Sequence, residues 1–105
     1  MTAFDDREKG FERKFAHDEE LEFKAQSRAS RALGEWAAQK MGLENPDDYV
    51  RAVVKAELGS GGELDVVRKV VQDFAGAGME VRESEVHSRM EEFLAVAREQ
   101  VKAGD

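Results

Sequence analysis

The chain has 105 residues, one proline and no cysteine; 41% of its residues are hydrophobic, 37% are charged, and the formal net charge is −7. The missing thiols exclude disulfides and thiolate chemistry, and the length fits a single domain. No apolar run approaches a membrane span or a signal-peptide core, so a cytoplasmic location is expected.

The charge is uneven. Residues 1–31 carry 8 acids and 7 bases, whereas residues 32–105 carry 15 acids and 9 bases. So acidic a body repels phosphate backbones, which sets nucleic acid aside as a partner.

The chain opens on "FDDREKGFERKF", residues 4–15, in which eight of twelve residues are charged and three are phenylalanines. On a helix, Phe4, Phe11 and Phe15 fall within about 40° of one another, a narrow aromatic edge on a charged rod. The first bundle helix is predicted from about Asp18 to Met41, because Leu21, Ala25, Ala29, Ala32, Leu33 and Trp36 recur at spacings of three and four. Gly42 suits its end. The second helix begins at "NPDDY", with Asn45 as N-cap, Pro46 in the first turn and two acids at the positive end of the dipole. It is expected to bury Tyr49 or Val50, Val53, Val54 and Leu58. "GSGG" at 59–62 reads as a flexible connection. The third helix presents Leu64, Val67, Val70, Val71 and Phe74 and stops at "GAG", 76–78. Ser84 is the expected cap of the fourth, whose stripe is Val86, Met90, Phe93, Leu94, Ala97 and Val101.

Each predicted helix has one apolar face, and no segment alternates with a strand's period of two. The fold class is all-α: a four-helix bundle, residues 20–105, preceded by a mobile N-terminal arm, residues 1–19. One continuous helix over residues 4–41 would run about 57 Å, against about 27 Å for the longest partner. Its first half would lack cover from its own chain. Gly10 weakens that half by about 1 kcal/mol relative to alanine, and a short isolated helix is marginal in water. The arm is therefore read as disordered or fraying alone and helical when bound, its aromatic edge anchoring in a partner's groove. The competing reading folds the arm back onto the bundle.

Catalytic signals are poor. "HDEEL" at His17 lacks the second histidine of a zinc helix, and Glu83, Glu85 and His87 stand at steps of two, which a helix splays. No metal site is expected. "GSGGE" lacks the Gly-Lys-Ser/Thr ending of a phosphate loop. Lys24, Arg28 and Arg31 line one flank of the first helix at i, i+4 and i+7. They could grip an acidic partner or the phosphates of a nucleotide; the plainer reading pairs them with acids of the fourth helix. Trp36 and Tyr49 are read as core residues rather than base-stacking platforms.

"FDDREKGFERKFAHDEELEFKAQSR" followed by "LGEWAA" closely resembles the start of the zeta subunit, the inhibitor of the F-type ATP synthase of alphaproteobacteria. The likeness continues through "VVKAEL", "VVRKVVQDF" and "EQVKAG" and covers nearly the whole chain. The resemblance implies a four-helix bundle with an N-terminal inhibitory segment. That segment enters a catalytic interface between an alpha and a beta subunit, near the gamma shaft, and blocks rotation in the hydrolytic direction. Carried over by matching residues, it spans about residues 2–19 and includes Phe4, Asp5, Asp6, Arg7, Glu8, Phe11, Phe15, Ala16, His17, Asp18 and Glu19. The chain departs from the family at "AQSRASRA", where the family has a denser basic run. Weak adenine-nucleotide binding by the bundle is also implied, and Lys24, Arg28 and Arg31 are the residues assigned to it; no other cofactor is expected.

These readings together give a regulatory protein rather than an enzyme. It is expected to be a monomer when alone, and to meet the membrane-bound ATP synthase through its catalytic head without entering the membrane. Two alternatives stand beside this: a nucleotide-responsive regulatory bundle, and a general helical adaptor with an unrelated partner.

Overall fold

The structure is a computed structural model that describes the backbone over residues 3–104 and the side chains over residues 18–104. It contains four α-helices and, among the described residues, no strand: α1 (Ala3–Met41), α2 (Pro46–Glu57), α3 (Glu63–Gly76) and α4 (Glu83–Lys102). The all-α bundle expected from periodicity is thus the observed fold. No helix among the described residues is long and apolar enough to cross a membrane.

α1 packs against all three partners, α2 meets α3, and α3 meets α4. α2 and α4 therefore flank α1, and α3 closes the far side. The seam that α1 offers is small: Ala25, Ala29, Leu33 and Ala37 are fully buried at intervals of four. Small residues let helix axes approach closely, as at Gly34, where a Cβ would stand 3.2 Å from the Cα of Val50 on α2. Bulk comes from the other helices: Val53, Val66, Val67, Val70, Phe74, Val86, Met90 and Leu94 complete the core. Trp36 lies edge-on to Phe74, with ring centroids 5.6 Å apart and planes at 78°.

Helix ends follow local chemistry. Gly42 takes φ 68° and Gly78 φ 77°. There the Leu43 N–H donates to the Ala38 carbonyl at 3.1 Å and the Met79 N–H to the Phe74 carbonyl at 2.9 Å, the closing bond of a glycine-terminated helix.

Several expectations are corrected. The first helix was expected from Asp18 but begins at Ala3, so the arm and the first bundle helix share one element. A proline-free stretch rich in Glu, Lys and Arg, with acids in its first turns, carries the helix through Gly10. The expected mobility of the arm falls on residues 1–17, whose side chains lie outside the described residues. Leu58 is 70% exposed, because α2 ends at Glu57 and Leu58 is its C-cap. Leu64 is 46% exposed in the first turn of α3, and Val66 fills the core instead. Asn45 occupies the N-cap position of α2 but makes no side-chain capping bond. Arg82, extended at φ −72° and ψ 143°, rather than Ser84, is the N-cap of α4.

Candidate functional site

Most of the arm residues singled out by sequence, namely Phe4, Asp5, Asp6, Arg7, Glu8, Phe11, Phe15 and His17, lie on the N-terminal half of α1, and their side chains are outside the described residues. What is described is the place where that half joins the bundle. Asp18, Leu21 and Glu22 of α1 face Arg98, Glu99, Val101 and Lys102 near the C-terminus of α4 across an open depression of about 260 Å³.

The Arg98 guanidinium grips the Glu22 carboxylate in fork geometry. Its Nη2 donates to Oε1 at 2.6 Å and its Nε to Oε2 at 3.1 Å. Gln26 adds an amide donor to the same carboxylate at 3.4 Å. Nearly two turns further along α1, Arg28 Nη1 donates to Gln100 Oε1 at 3.4 Å. α1 is thus clasped to α4 just inside the bundle.

The hydrogen bond from Arg98, opposed in part by burial, holds the Glu22 carboxyl below the usual carboxylate range. A carboxyl with a depressed folded pKa stabilises the fold above its unfolded value, about 4.3, and loses that contribution as pH falls through the lowered value. Both side chains are more than a third exposed, so screening holds the clasp to about 1 kcal/mol or less. Arg98→Gln is expected to lower the unfolding midpoint at pH 7 by at most about 4–8 °C. The gap between the two proteins should narrow as the pH falls from 7 into the acid range, and thermal melts across that range check it.

Lys24, Arg28 and Arg31 do converge. With Phe23, Ser27 and Val54 they line a shallow depression of about 390 Å³ between α1 and α2. Phe23 is 59% exposed there, an aromatic ring beside three cations. The periodicity placed the cations on one flank but did not single out Phe23.

Trp36 and Tyr49 are half-buried and packed against the core, as expected. Lys40 and Arg89 sit over the Trp36 ring at 5.2 and 5.3 Å. The Tyr49 hydroxyl donates to Asp73 at 2.9 Å, and burial together with that carboxylate pushes its pKa up.

His87 does not meet Glu85, which pairs with Lys40 at 3.5 Å. The fold instead brings His87 together with Glu91 and with Glu63 of α3, their donor atoms within 4.8 Å of one another. The i, i+4 spacing of His87 and Glu91 was visible in the sequence. The arrival of Glu63 was not, because it depends on how α3 docks.

The family model of the ATPase inhibitor subunit zeta matches residues 1–100, so the match takes in the arm, the basic flank and nearly all of α4. No curated protein matches the chain. An inhibitor family accords with a regulatory rather than a catalytic role and implies an interaction with the ATP synthase. On a match of this extent, carried by an all-α chain of four helices, the protein belongs to the family of the ATPase inhibitor subunit zeta.

Proposed function

We propose that this protein inhibits ATP hydrolysis by the F-type ATP synthase by inserting its arm, residues 1–19, into a catalytic interface between an alpha and a beta subunit near the gamma shaft. The observation that carries this reading is the family match over residues 1–100, which includes the whole arm. The continuity of α1 from Ala3 to Met41 supports it, because a single helix joins the wedge to the body that braces it.

The bundle, residues 20–105, does no chemistry. The arm wedges an interface that must close for hydrolysis, and rotation stalls in that direction while synthesis continues. Phe4, Phe11 and Phe15 are the anchors, since each ring can bury about 150–250 Å². Asp5, Asp6, Arg7, Glu8 and His17 set register and orientation. The protein acts as a monomer from the cytoplasmic side and reaches the membrane-bound enzyme through its head. Adding it to inverted membrane vesicles should suppress ATP hydrolysis and leave proton-driven synthesis intact. Equal loss of both activities, or of neither, would count against this mechanism.

A second reading rests on the depression lined by Phe23, Lys24, Arg28 and Arg31: the ring stacks an adenine base while the cations hold its phosphates. Titrating ATP into the fluorescently labelled protein tests it. Saturation that weakens in Arg31→Gln would support nucleotide binding, and the absence of saturation would dismiss it.

A further inference from the structure

We propose that Glu63, His87 and Glu91 form a binding site for a divalent transition-metal cation of the zinc class, where the start of α3 meets α4. This inference is independent of the inhibitory arm. Its basis is the meeting of one imidazole and two carboxylates, with a donor atom of each within 4.8 Å of the others. Two donors come from a single helical face: His87 and Glu91 stand at i, i+4, with His87 Nε2 3.8 Å from Glu91 Oε1. The third comes from the first residue of α3. Its position is set by the turn before it, where the Gly61 N–H donates to the Asp65 carboxylate at 2.9 Å.

A second observation concerns Glu63 itself. Its Oε1 is buried and has no hydrogen-bond partner. Arg98 is already committed to Glu22. A divalent cation beside Glu63 would supply the partner that this buried oxygen lacks.

The geometry is within reach. Metal–ligand bonds of about 2.0–2.2 Å put tetrahedral donors about 3.3–3.6 Å apart, so the three groups need close by up to about 1.5 Å. The His87 and Glu91 side chains are 57% and 49% exposed, so both can rotate to do this. One imidazole with two carboxylates favours zinc, cobalt or nickel over magnesium, which prefers oxygen alone. Three protein ligands leave a fourth position for water. The bound ion would tie the start of α3 to the middle of α4 and hold the turn after α2 in place.

Calorimetric titration of the full chain with zinc chloride at pH 7.5 tests the proposal, together with visible absorption after cobalt(II) addition. The expected result is one ion per chain, cobalt bands of a low-symmetry four-coordinate site, and no displacement by excess magnesium. His87→Ala and Glu63→Gln should each weaken zinc binding roughly tenfold or more. His17→Ala, which removes the other histidine, should bind as the parent does. Circular dichroism of each variant separates loss of the site from loss of fold, and Glu91→Gln replaces any variant that unfolds. The proposal is overturned if the parent shows no saturable zinc binding, or if folded variants at His87 and Glu63 or Glu91 bind as tightly as the parent.

Discussion

Replacing Phe11 and Phe15 together by alanine is expected to weaken inhibition of the ATP synthase by several kcal/mol, a loss of more than a hundredfold in affinity. The unfolding midpoint should move little. The reason lies in where the core of α1 begins. Among the described residues, its first apolar contacts with the bundle are Leu21 and Ala25, beyond the second of the two rings. On the proposed mechanism the two rings anchor in the partner's groove rather than in the core, so they cost little to remove from the protein alone and much to remove from a filled groove. Lys9→Gln and Lys14→Gln should matter far less, because rim charges in water contribute little. An arm packed back on the bundle gives the opposite pattern, in which the midpoint falls and inhibition per folded molecule is unchanged. Measuring both quantities on one preparation separates the two.

Phe74→Ala should be the most damaging single change to the bundle, costing about 3–5 kcal/mol. Phe74 is fully buried and heads the set of large buried side chains. Its ring also supports the edge of Trp36, so truncation leaves a cavity and removes an aromatic contact. Domains of this size hold only about 5–15 kcal/mol in total, so the midpoint should drop by well over 10 °C. Chemical denaturation with an unchanged slope would confirm lost stability rather than an altered unfolded state. A drop of only a few degrees would mean that neighbouring valines collapse into the space.

Helix number, type and most of the core were legible in the sequence because they rest on local periodicity. Ala25, Ala29 and Leu33, or Val86, Met90 and Leu94, repeat at helical spacing whatever they pack against. The misses fall at helix ends, where spacing carries less information. Leu58 and Leu64 continue an apolar stripe, yet they flank the turn between α2 and α3, where no helix covers them. Ser84 has a capping side chain, but the extended backbone of Arg82 starts the helix two residues earlier. At the candidate sites, the basic flank was readable from its i, i+4, i+7 spacing. The Glu22–Arg98 clasp and the approach of Glu63 to His87 join residues far apart in the chain. Both depend on how whole helices dock, which no local pattern encodes.

On the proposed mechanism the arm inhibits and the bundle only carries it. The most direct test titrates the full chain and a chain beginning at Glu20 against ATP hydrolysis by the isolated catalytic head. Saturable inhibition by the full chain at one molecule per head is expected. None is expected from the shorter chain, whose unfolding midpoint should nonetheless match that of the full chain. Inhibition by the shorter chain equal to that of the full chain would contradict the mechanism.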